Sequence, residues 1–213
     1  MKKITILILV SIFCIKCEKS GDNSKFDNVD IINKIDFVLE PSSDPYEPTK
    51  DSFNLDIDHD KIPDITFFVF SYSLGHESSY NSRIKVLNDY EIAIQKANKY
   101  DASNSNEDQI YVVVDSALVE IPKICNNLDT ISNQLTYTSA ILDLAYSHSD
   151  GFQLYRWGTY ITGWNDFGEK FIVLSNITNN VYCWVKINVS GYSTITLNSF
   201  SYSIDKDFLI IKD

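Results

Sequence analysis

The chain is poor in the residues that break or cross-link a backbone. Of its 213 residues, 7 are Gly, 5 Pro, 4 Cys and 1 Met. So little Gly and Pro excludes collagen-like and low-complexity tracts. So few Cys excludes a disulfide-dense scaffold. With only 3 His, and no C-x-x-C after residue 17, zinc has no clustered ligand set. Positive charge is scarce too: 18 Lys and Arg stand against 29 Asp and Glu, a net charge of −11. Such a field repels nucleic acid and anionic surfaces, so nucleic acid is not an expected partner. The longest predominantly apolar stretch, Ile4 to Ile15, has 12 residues. A bilayer-spanning helix needs roughly 20. There is no G-x-S-x-G, no P-loop and no G-x-G-x-x-G, and His59, His76 and His148 are scattered. The expectation is a protein that is not an enzyme.

What is abundant points to β structure. Hydrophobic residues make up 44% of the chain, with 13 Tyr and 12 Phe. Tyr, Phe, Ile, Val and Thr recur throughout, and these residues suit a pleated, half-buried surface. Turn residues divide segments such as 34–40, 52–57, 64–73, 108–121, 169–177, 181–190 and 194–204, which read as strands. In 181–190, Val181, Cys183, Val185, Ile187 and Val189 share one face, and Tyr182, Trp184, Lys186 and Asn188 share the other. That is the period of a strand with one buried face. Residues 122–135 have room for a short turn of helix at most. The pattern predicts an all-β fold, an antiparallel sandwich of jelly-roll type with little helix.

The N-terminus reads as an address. Lys2 and Lys3 precede the apolar stretch, and its length suits the core of a secretory signal. Cys14 and Cys17 follow, and the chain turns polar after Cys17. This resembles a bacterial lipoprotein signal, in which the first mature residue is an acylated Cys. The resemblance implies a signal peptide over residues 1–16, lipid on Cys17 with Cys14 as the other candidate, and a bilayer as partner. It places the protein at the outer membrane or cell surface; the alternative is a periplasmic or secreted protein. Loss of Lys2, Lys3 and Lys16 would lower 18 basic residues to 15 against 29 acidic ones, a net charge of −14. Residues 17–32 read as a flexible tether and 33–213 as one sandwich domain. Cys125 and Cys183 remain in that domain. An oxidising compartment permits a single disulfide between them, and otherwise they are small buried hydrophobes.

Residues 54–65 read NLDIDHDKIPDI. Four aspartates, at 56, 58, 60 and 64, alternate with Ile57, His59 and Lys61. Loops of the D-x-D-x-D type bring such carboxylates to calcium, with a backbone carbonyl at the seventh position, here Ile62. The expected ligand set is therefore Asp56, Asp58, Asp60, Ile62 and Asp64, holding a structural calcium ion. Carboxylates within about 5 Å of one another repel by roughly 1 kcal/mol per pair in water-like screening and ~3 kcal/mol at an effective dielectric of 20. A divalent cation reverses that sign. The twelfth position is Phe67, so this is not an EF-hand. Lys61 stands at the sixth position, where such loops have Gly with positive φ, which costs about 1 kcal/mol.

The loop also belongs to a wider pattern. It is followed by EIPKICNNLDTIS, KFIVLSNITNNVYCWVKINV and TITLNSFSYSI, in that order. This resembles a group of exported bacterial β-proteins with an early D-x-D-x-D-G-x-x-D loop and a late Y-G-W-[IV] strand, some of them lipoproteins. Asp56, Asp58, Asp60 and Asp64 match the loop, Tyr182, Trp184 and Val185 the strand, and Tyr202 a late aromatic. Cys183 stands where the group has Gly. The resemblance implies a fold and a calcium-type loop, and no activity. A second reading is a carbohydrate-binding module of an exported glycan-handling system, with Trp157 and Trp164 as the stacking platform, joined by Trp184, Tyr155 and Tyr160.

Overall fold

The computed structural model describes residues 32–42, 48–75, 77–104, 111–150, 156–161, 164, 167–176, 178–204 and 208–212. The leader with Cys14 and Cys17, together with His76 and Tyr155, lies outside the described residues. Among the described residues the regular structure is entirely β. The strands are β1 (Asn33–Leu39), β2 (Thr49–Leu55), β3 (Ile65–Leu74), β4 (Glu77–Val86), β5 (Tyr90–Asn104), β6 (Tyr111–Pro122) and β7 (Thr130–Ser132). There follow β8 (Tyr137–Thr138), β9 (Leu142–Asp150), β10 (Arg156–Ile161), β11 (Lys170–Asn176), β12 (Val181–Ser190), β13 (Thr194–Ile204) and β14 (Phe208–Ile210). Residues 122–135, read as room for a helical turn, hold β7 and an isolated bridge from Cys125 to Phe171 instead. Their Asn, Asp and Ser side chains serve turns: Asp129 Oδ2 accepts from the Asn126 amide at 2.7 Å.

The strands form an antiparallel β-sandwich. One sheet runs β1-β13-β12-β11-β5 and the other β5-β10-β9-β4-β3-β2. The 15-residue β5 belongs to both. Its first residues pair with β11 and β8, and its last with β10 and β6. A strand this long turns the corner between the layers and carries the chain's twist from one to the other. At the opposite edge the layers meet through Phe37 on β1 and Phe53 on β2, whose rings stack with centroids 4.6 Å apart. β1 reaches this contact through an irregular register between Lys34 and Phe37, where Asp36 adopts φ 49°.

The main core lies between the sheets. Val181, Cys183, Val185, Ile187 and Val189 of β12 face Leu55, Ile65, Phe67, Val69 and Ile84 of the other sheet's strands. This is the face that the two-residue period of 181–190 predicts. The opposite face departs from the expectation of solvent. Tyr182 and Trp184 are buried there with Phe171, Val173 and Ile131. The β7–β14 ribbon covers them by supplying Ile131 and Leu209. The Phe171 and Trp184 rings meet edge to face at 5.2 Å. A sheet packed on both faces needs apolar residues at both parities.

That arrangement also decides the cysteines. Cys183 points into the main core and Cys125 into the second one, beyond the sheet. Both thiols are free. The disulfide that an exported chain would permit is not made, because a sheet separates the partners.

Candidate metal centre

The aspartate loop joins β2 to β3, and the two strands pair in register from Thr49↔Ser71 to Leu55↔Ile65. The loop is closed at its mouth by the Asp64 amide, which donates to the Leu55 carbonyl at 2.9 Å. The Asp64 carbonyl accepts from the Leu87 amide at 2.8 Å. Asn88 Nδ2 donates to the Pro63 carbonyl at 2.7 Å, so the β4–β5 turn braces the loop from the side. Nothing in the sequence around Asn88 indicates that its turn lies against residue 63.

Within the loop, carboxylates take up backbone amides. Asp56 Oδ2 accepts from the Lys61 amide at 2.7 Å, Asp58 Oδ1 from the Asp60 amide at 3.2 Å, and Asp60 Oδ1 from the Ile62 amide at 2.7 Å. Asp64 Oδ2 accepts from the Ile57 amide at 2.7 Å, a buried bond. These bonds wind the chain inward at the odd positions. His59 and Lys61 take φ 63° and 76°, the left-handed values expected where Gly would normally stand. The even positions point away from the carboxylates. Ile57 is fully buried in the main core, and the His59 ring lies 6.1 Å from that of Phe200.

The winding gathers three of the four aspartates. One carboxylate oxygen each from Asp56, Asp58 and Asp64 lie within 4.8 Å of one another. Asp60 is not among them. It is exposed, and one of its oxygens is held by the Ile62 amide. Ile62 has a side chain that is largely exposed, consistent with a position that offers only backbone.

The three-carboxylate group is under electrostatic tension. Asp64 is 2% exposed. Burial, countered in part by the Ile57 amide, and the charges of Asp58 and Asp56 push its pKa from 3.8 up to about 6. Asp56 Oδ1 is buried without a hydrogen-bond partner. A buried carboxylate oxygen left unpaired is costly, and a cation or a proton relieves it. The buried Tyr90 hydroxyl also lacks a partner. Burial first, and the Asp64 charge second, raise its pKa. Oxygen donors without nitrogen or sulfur suit a hard cation.

Of the aromatic platform expected from the sequence, Trp164 and Trp184 are core residues. Trp164 is fully buried in the main core, and its indole N–H donates to the Pro122 carbonyl at 2.9 Å. A ring with no exposed face stacks on no sugar. Trp184 is likewise fully buried, on the other side of its sheet. Trp157 sits on β10, opposite Asp150 and Ser103, and its side chain is outside the described residues.

No family model, curated protein or solved structure matches the chain.

Proposed function

We propose that this protein is an exported, lipid-anchored and non-catalytic module of the bacterial cell envelope, a binding or structural component stabilised by one calcium ion. The observation that carries the calcium reading is the convergence of Asp56, Asp58 and Asp64 oxygens within 4.8 Å. The unpaired Asp56 Oδ1 supports it. The ion would link the end of β2 to the start of β3 and fasten the hairpin whose loop also buries Ile57. Millimolar affinity suffices outside the cell. The anchor reading rests on the leader: two lysines, an apolar stretch of 12 residues and a chain that turns polar after Cys17.

Thermal melting of the protein in excess EDTA and in millimolar Ca²⁺ tests the ion. A concentration tenfold above Kd stabilises the fold by about 1.4 kcal/mol, a shift of a few degrees. Asp58→Ala, an exposed substitution, should remove the shift while the protein still folds. A melting curve indifferent to both calcium and chelator refutes the site. Mass spectrometry of the protein from bacterial membranes tests the anchor, which requires acylated Cys17 at the mature N-terminus.

A further inference from the structure

The outer face of the β2-β3-β4-β9 region holds a second feature, independent of the aspartate loop. A cleft of about 710 Å³ opens there, within the range of about 300–1,000 Å³ typical of small-molecule sites. Two rows of cross-strand neighbours build it. One runs Lys50, Phe70, Asn81, Tyr146, and the next Ser52, Phe68, Arg83, Asp143. The rows lie about 7 Å apart along the strands, and each spans about 14 Å across four of them.

Phe68 and Phe70 are the unexpected members. Phe67 and Val69 already fill the core from the same strand, so Phe68 and Phe70 have the opposite parity. An antiparallel sheet turns that face to water and normally makes it polar. Here two half-buried rings sit side by side on it, joined by the exposed Ile141. Around them stands a polar frame. Arg83 Nε donates to Asp143 Oδ1 at 2.6 Å, and Asn81 Nδ2 donates to the same oxygen at 3.1 Å. Asn81 is 6% exposed, so its amide is held at the bottom of the cleft. Half of the Arg83 side chain stays exposed. Lys50 and Asp51 add one charge of each sign at the β2 rim.

We infer that this cleft binds a neutral oligosaccharide, with pyranose faces on Phe68 and Phe70 and hydroxyls on Asn81, Arg83 and the β2 rim. The charges decide against other occupants. Arg83 is paired with Asp143, and Lys50 stands beside Asp51 on the edge strand, so the frame has donors and acceptors and little net charge. A wholly apolar ligand would strip water from these groups and give nothing back. A nucleotide or other polyanion would meet a protein of net charge −11. A sugar ring has an apolar face for an aromatic floor and an edge of alternating donors and acceptors for the frame. The inference goes beyond the calcium-stabilised module and needs no ion. It also moves any glycan contact away from Trp164, which is core.

The test is binding of the full-length protein to an array of neutral and acidic oligosaccharides, followed by calorimetric titration with the strongest neutral binder. The expected result is binding of a neutral oligosaccharide that Phe70→Ala and Phe68→Ala each weaken about tenfold or more. Arg83→Met, at an exposed position, should weaken it several-fold. That variant decides the question if the Phe variants do not fold. The inference is overturned if no neutral oligosaccharide binds, if binding is confined to acidic ones, or if the variants bind as tightly as the natural protein.

Discussion

The Asp64 carboxylate accepts the Ile57 amide at 2.7 Å, and both residues are buried. One bond thereby joins the acidic loop to the hydrophobic core. Ile57 anchors the loop from below, and Asp64 turns its charge toward Asp56 and Asp58. Loop geometry and core packing are therefore coupled, and the loop's electrostatics should register in global stability.

Acidity should change that stability in a defined direction. Asp64 keeps its proton to about pH 6 in the fold, against 3.8 for the ordinary group. The native state thus holds the extra proton between those values, and in EDTA this group's contribution to stability falls as pH rises from 4 to 6. A shift of this size corresponds to ~3 kcal/mol. Calcium requires the ionised carboxylate, so its stabilising effect should grow over the same range. Melting at pH 4.5 and 7.5, with and without calcium, checks this against Asp64→Asn, which removes the titration. A calcium shift of equal size at both pH values would count against the assignment.

Lys61→Gly should stabilise the protein. Lys61 holds φ 76°, and its backbone amide, which Gly retains, donates to Asp56 Oδ2. Relief of the left-handed strain is worth up to about 1 kcal/mol. Removing a positive charge from the loop should also tighten calcium. Denaturant unfolding in EDTA separates the first effect from the second. A Gly variant less stable than the natural protein would contradict the strain argument.

Trp164 should report on stability. Trp164→Ala opens a cavity in the main core and orphans the Pro122 carbonyl, with an expected loss of about 3–5 kcal/mol. Trp164→Phe keeps most of the volume but loses the hydrogen bond, and about 1–3 kcal/mol is expected from that. Urea titration followed by circular dichroism measures both. An Ala variant as stable as the natural protein would show that the ring is not core.

The two domain cysteines should be silent in the folded protein. Burial pushes the Cys125 thiol up to about 11 and raises Cys183 well above its usual range. Little thiolate exists at pH 8, and solvent does not reach it. A maleimide reagent should label neither in the native state and both in denaturant, and dithiothreitol should leave the melting temperature unchanged. A melting point that falls on reduction would reveal a bridge.

What was legible in the sequence is what depends on near neighbours. Strand parity is local, so Val181, Cys183, Val185, Ile187 and Val189 could be assigned to one face without knowing what they face. The odd spacing of Asp56, Asp58 and Asp64 is local as well, and so is the strained position of Lys61. An antiparallel β class followed from the same alternation, repeated along the chain.

The tertiary structure decided everything that depends on which strands become neighbours. The β7–β14 ribbon buries Tyr182 and Trp184, a sheet separates Cys125 from Cys183, and Trp164 enters the core. Asp60 turns to its own backbone while Asp64 joins Asp56 and Asp58. Phe68 and Phe70 acquire Asn81 and Arg83 beside them only because β4 pairs with β3 in that register. Alternation along a strand is set by the pleat of a few residues. The partner strand, its register and what covers each face are set by contacts between distant residues, and the two-residue period carries no information about those.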